Sequence, residues 1–327
     1  MMKKLFLLTV LCALVGTAAF GATVHRTILS HEGVLTQYDL SNWQGAITDA
    51  VDGDIVYFTS GTFSGDPLTI NKRIALIGAG VAKDDCFYKD VYGDYCTTGE
   101  STFLNVSIVI DIEGATKLDR PLMEGIAVTD CHQLEIKQAP AETTFKRCQF
   151  IYDRNISSTG FFASSEVSGL ILENCYFGKL DFNNMVNPTI RNCYVDLLDN
   201  ARAETKFFNC IIVTISGCTN CYFTNCGYQS LWSSSYNTFV NCLYGGWSQD
   251  ANSTYENCIN DGDFNGYTKA QLLEKNYLGN DGSVIGPLGG NYPFTLIPSQ
   301  PSVQTNSINY DNSKKQLNVN LTIKQGK

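Results

Sequence analysis

The chain reads as an all-β solenoid, in which short strands wind into stacked coils around one shared interior. Three observations predict it. Cysteines recur at 131, 148, 175, 193, 210, 226, 242 and 258, in steps of 17, 27, 18, 17, 16, 16 and 16. An apolar or aromatic residue stands three positions before each, from Val128 and Phe145 through Phe239 to Tyr255. Asn directly precedes six of the eight, at 174, 192, 209, 225, 241 and 257. A period this steady marks stacked structural repeats.

The first 21 residues, MMKKLFLLTVLCALVGTAAFG, set Lys3 and Lys4 before an apolar run and end on small residues. This predicts a signal peptide and an exported chain: periplasmic, on the cell surface or secreted. The formal charge of −9 and pI near 4.8 argue against nucleic acid or anionic lipid as partner. No later stretch is expected to span a membrane. Residues 22–300 are assigned to the solenoid with its N-terminal cap, and 301–327 to a C-terminal strand extension.

Within the solenoid, Ser41 is the predicted cap of a helix over 42–51. Trp43, Ile47 and Val51 would form its buried stripe and plug the first coil. Short strands are predicted at 55–58, 68–70 and 74–77. Farther on, each Cys and the residue two later share one side of a strand. The apolar residue three back reaches the same interior only if the chain bends between them. Asn tolerates the left-handed conformation that such a bend requires. Each repeat is therefore strand, Asn bend, strand. The one long step places an insertion between 149 and 174, with SSTGFFASS as its loop.

Buried cysteines behave as small hydrophobes. Stacked at the strand spacing of about 4.8 Å, they lie wider apart than the Cβ separation of ~3.8 Å that a disulfide prefers, so mostly free thiols are expected. Cys86 and Cys96 flank the polar stretch FYKDVYGDY and are the disulfide candidate. Cys218 and Cys221 fall off the period and are expected to be partly exposed. At the C-terminus, Leu317, Val319, Leu321 and Ile323 alternate with polar residues as one strand. It pairs with 303–309, docks on the helix or forms an appendage.

The strings GDIVYFTSGTF and LTINKRIALIGAG, the Asn-Cys bends and the ending NDGSVIGPLGGNYPFTLIPSQP resemble secreted bacterial proteins of the pectin-lyase-like superfamily. The resemblance implies a right-handed parallel β-helix. A left-handed β-helix is disfavoured by the varying coil length and the absence of a hexapeptide pattern. The resemblance also invites polysaccharide-degrading chemistry, yet its motifs are missing. There is no Gly-His-Gly and no His after His132, and Asp119-Arg120-Pro121 is only a fragment of a lyase-type string. Lys137, Lys146, Arg147 and Arg191 are expected as solvated outer residues rather than proton-abstracting bases. His25, His31 and His132 are too scattered to suggest a triad. Asn260-Asp261-Gly262-Asp263 has oxygen ligands at calcium-loop spacing without the closing Glu, so a turn is favoured. No catalytic residue and no metal ligand is assigned.

Tyr176, Tyr194 and Tyr222 follow cysteines and are expected to project from one sheet; Trp232, Tyr236, Tyr244 and Trp247 crowd the later coils, with Tyr244 expected to face inward. Exposed rings in a row suit stacking on sugar faces. The expectation is an exported, non-catalytic, adhesin-like surface module that binds glycans. The alternatives are a lyase or glycosidase acting on acidic polysaccharide and a structural envelope protein.

Overall fold

The computed structural model describes residues 26–81, 101–114, 116–131, 133–152, 160–202, 204–246, 249–264, 267–291, 293–295, 302–311 and 316–324. The signal segment, His25, Cys86, Cys96, His132 and Trp247 lie outside them. The chain is an all-β parallel β-helix. Among the described residues, a first sheet of twelve strands and a second of fourteen run its length, each coil giving a strand to both.

The coil geometry follows the predicted logic. Strand Thr189–Arg191 of the first sheet buries Ile190, Asn192 bends with φ 52°, Cys193 turns inward, and strand Tyr194–Asp199 of the second sheet buries Val195 and Leu198. Asn174, Asn209, Asn225, Asn241 and Asn257 bend identically, with φ between 51° and 54°; Arg147 does so at 53°. Pairing is parallel and in register, so Ile190, Phe207, Phe223, Phe239 and Tyr255 form one column. The rings of Phe207, Phe223 and Phe239 stack with centroids 4.7 Å apart.

Cys131 is not a bend residue. The register pairs Met123 with Phe145 and Val128 with Phe150, which sets Ile126 at the position of Cys148 and Gly125, φ 67°, at the Asn position. Cys131 is buried instead at the end of strand Ala127–Cys131. The stretch SSTGFFASS is not all loop either: Gly160–Ala163 is a strand paired to Gln133–Gln138 and Tyr176–Asp181, with Phe161 fully buried.

Among the described residues, ten cysteines are free and nine of them are buried. Ladder thiols donate weakly to the carbonyl two residues back, as Cys175 does to Glu173 at 3.3 Å, and accept from the coil before, as Cys193 Sγ does from the Cys175 amide at 3.4 Å. Burial holds the thiols of Cys175, Cys210, Cys226 and Cys242 well above the ordinary thiol range. Cys218 and Cys221 are buried as well, because the corner between the sheets has its own ladder. The Cys218 amide donates to Ser234 Oγ and the Cys221 amide to Asn237 Oδ1, both at 3.0 Å, one coil on.

The N-terminal end is closed by an antiparallel hairpin, Arg26–His31 with Val34–Asp39, and by helix α1, Trp43–Asp49. The hairpin turns on Glu32 and Gly33, both at positive φ. Trp43 is buried against Phe58, Phe63 and Phe103. Ser41 lies in a short 3-10 turn rather than capping α1, and Val51 is 48% exposed because the helix stops at Asp49.

After the last coil the chain doubles back. Residues 261–264, 267–291 and 293–294, including helix α2 (Lys269–Glu274), form a strap along the outside of the second sheet, burying Phe264, Leu272, Val284 and Ile285 against Ile211 and Leu243. The C-terminal extension is a hairpin, Ser302–Asp311 with Gln316–Lys324. No helix among the described residues is long and apolar enough to cross a membrane.

Candidate functional site

The strap decides which predicted aromatics reach solvent. Tyr176 and Tyr194 do stand side by side on the outer face of the second sheet. Tyr176 is only 6% exposed, its hydroxyl donating to Asp196 at 2.6 Å, and Tyr194 packs edge-on against Phe294 of the strap. Tyr222 is 48% exposed but belongs to the first sheet, because Cys221 sits at the corner and not at an Asn bend. The expected single row of three tyrosines is not assembled.

Exposed rings gather instead at the corner where the second sheet turns into the first. Trp232 ends strand Gly227–Trp232 and is 64% exposed; Tyr236, four residues on, is 61% exposed. Tyr222 lies one coil earlier, in register with Thr238. The backbone between Trp232 and Tyr236 is held firmly. Ser234 is buried and its hydroxyl donates to the Trp232 carbonyl at 2.9 Å, while buried Asn237 donates to the Cys218 carbonyl at 3.0 Å. Successive coils place Glu204, Asn220 and Tyr236 in left-handed conformation, with φ of 68°, 56° and 59°. Asn suits that position, whereas a bulky aromatic there is an outlier. The sequence places Tyr236 among the aromatics that crowd the later coils; its left-handed backbone is not legible there, because that depends on the coil stacked before it.

A concave region lies at the entry to the first sheet in the earliest coils. Asp52, Gly53 and Asp54, then Arg73, Ile74 and Ala75, then Leu118, Asp119 and Arg120 line a cleft of about 350 Å³. A neighbouring cleft of about 420 Å³ shares Asp52 and Arg73 and adds Asn71, Asp111 and Glu113. Asp54 is buried, accepting from the Val51 amide and lying 2.8 Å from His31 Nδ1. That hydrogen bond and the charge of Asp54 raise the His31 pKa above its usual value. The other scattered histidines, His25 and His132, fall outside the described residues.

The cationic residues weighed as bases are mostly engaged. Arg147 is buried and paired with Glu124 at 2.9 Å, contrary to the solvated position expected for it. Lys146 and Arg191 both pair with Glu173. Burial alone would raise the Glu173 carboxyl, but the two cations bring it below the usual range. Lys137 is exposed on its strand. Asp261 of the calcium-like string is a hub for the strap: Tyr277 and Tyr267 donate to its carboxylate at 2.7 and 3.1 Å, with Lys275 at 3.5 Å. Among the described residues, no three His, Cys, Asp or Glu side chains group as metal ligands.

Comparison of the chain with family descriptions, curated proteins and solved structures returns no match. The reading of function therefore rests on the fold and on these two surface regions.

Proposed function

We propose that this chain is an exported, non-catalytic β-helix protein of the pectin-lyase-like kind that binds glycans at a cell surface. The observation that supports it is the corner bearing Tyr222, Trp232 and Tyr236, three exposed rings on a backbone locked by buried hydrogen bonds. Rings of this kind offer an apolar face to a sugar and a polar edge to water. Preorganisation lowers the ordering cost of binding. A glycan array with the intact chain tests the reading. Retention should fall at least tenfold in Trp232→Ala and Tyr236→Ala, with the thermal midpoint little changed; retention that is absent, or indifferent to both, refutes it.

A second reading is favoured by the mixed-charge cleft. Carboxylates of Asp52 and Asp119 beside the guanidiniums of Arg73 and Arg120, with the His31–Asp54 pair at the same end, resemble the acid and base groups of a polysaccharide lyase or glycosidase. Assaying uronate-containing and neutral polysaccharides for new unsaturated or reducing ends separates the readings. Product formation abolished by Arg73→Ala or Asp119→Asn would replace the binding proposal with an enzymatic one. Neither retention nor turnover would leave a structural envelope component.

A further inference from the structure

The two ends of the solenoid are finished differently. Hairpin 26–39 and α1 cover the first coil. At the far end, among the described residues, Thr254–Glu256 and Ile259–Asn260 are the terminal strands of the two sheets, each with one edge unpaired. The last interior residues, Tyr255 and Cys258, are half exposed, and Ile259 is 39% exposed. Helix α2 and the strap pack along the side of the second sheet, against Ile211 and Leu243. An open core and unpaired strand edges call for a cover.

The same chain carries a hairpin that, among the described residues, pairs only with itself. Its register sets Val303 opposite Ile323, Ile308 opposite Val319 and Tyr310 opposite Leu317, an apolar row alternating with polar pairs such as Gln304 with Thr322. A lone two-stranded hairpin is marginal in water. Charge distinguishes it from the body. Residues 301–327 hold four lysines against Asp311, a net +3, within a chain total of −9, which leaves −12 on residues 1–300. The open end is acidic, with Glu256 and Asp263 exposed and Asp250 half exposed.

We propose that the C-terminal hairpin of one copy covers the open solenoid end of a second copy, so that chains assemble head to tail. The strap explains why the partner is a second copy. It leads the chain away from its own open end, past Asn225 and Asn192, to seat Phe294 against Tyr194. That is four strands from the terminal strand of the second sheet, or about 19 Å at ~4.8 Å per coil. The last described contact of the strap with the body thus lies well away from the chain's own open end, which favours the end of a second copy. Such a contact is heterologous and does not close on itself, so assemblies grow with concentration.

Light scattering on the mature chain tests this over a wide concentration range. At ~0.01 M salt, where charges act over about 30 Å, the mass should rise at least twofold above the monomer; at ~0.15 M, where they act over about 8 Å, it should fall back. Val319→Asp in the hairpin, and separately Glu256→Lys with Asp263→Lys at the open end, should each weaken association at least tenfold. Because the second variant touches no hairpin residue, loss in both cannot come from hairpin misfolding alone. A chain combining Lys324→Glu with Glu256→Lys should regain association that either change alone weakens. A chain monomeric at every concentration in low salt overturns the proposal. Association surviving both the hairpin and the open-end variants does so as well. So does hairpin amide protection independent of concentration, which means the hairpin covers its own body.

Discussion

Phe264 lies directly on Gly227: a Cβ added to that glycine would sit 2.4 Å from the phenyl ring. Other coils carry Tyr194, Ile211 or Leu243 at this place in the second sheet, so the missing side chain is what lets the strap come close. Gly227→Ala should destabilise by about 1–3 kcal/mol, as overpacking does. Hydrogen exchange should quicken in residues 264–289 and stay slow in the first sheet.

The Asn192 amide donates to the carbonyls of Pro287 and Gly289 at 3.1 and 2.9 Å while its backbone holds the left-handed bend. The two roles are separable. Asn192→Gly keeps the bend and loses the strap contacts; Asn192→Ala loses both and should be less stable than the glycine variant by roughly 1–2 kcal/mol. Denaturant unfolding of the pair measures the difference.

At Tyr236 the same conformation works in the opposite direction. Tyr236→Asn should leave the chain as stable or up to ~1 kcal/mol more stable, since Asn accepts that backbone more readily. Glycan retention should drop. A variant that gains stability while losing binding would separate ligand contact from folding at this residue.

His31 ties the N-terminal hairpin to Asp54 at the start of the first-sheet strand. Its pKa is raised in the folded protein, first by the Asp54 hydrogen bond and then by the charges of Asp54 and Glu32. A raised folded value means stability fully present below the unfolded pKa of ~6.5 and lost as pH rises through the folded value. The gap in thermal midpoint between the wild type and His31→Ala should be widest near pH 5 and narrow above neutrality. Half exposure of the ring keeps the effect modest.

Much of the fold was legible because the Asn-Cys step is a local device. A residue tolerant of the left-handed bend, followed by a small apolar one, must turn a strand inward, and a fixed period must stack it. The reading failed where position depends on distant chain. Cys131 resembles a ladder member until the register reveals Gly125 and Ile126 as the bend. Tyr176 and Tyr194 do point outward, as alternation requires, yet alternation is silent about a strap arriving about a hundred residues later. The pairing of His31 with Asp54 comes from an antiparallel hairpin whose turn, Glu32-Gly33, was not recognised as one.

Thiol labelling gives a direct check on the interior. Of the ten described cysteines, only Cys258 should react in the native protein, and slowly, because its thiol is held up by the Cys242 contact and by burial. Denaturant should make all ten reactive. Rapid labelling of Cys193, Cys210 or Cys226 without denaturant would show that the coils do not enclose them.

The column of unoxidised sulfur also bears on how such a chain matures. Before its coils close, every thiol has the ordinary reactivity of an exposed cysteine, and random cross-links would trap wrong registers. Once closed, the backbone shields the sulfurs from oxidants. In an oxidising medium winding must therefore outrun oxidation, and a reductant present during refolding there should raise the yield of native molecules.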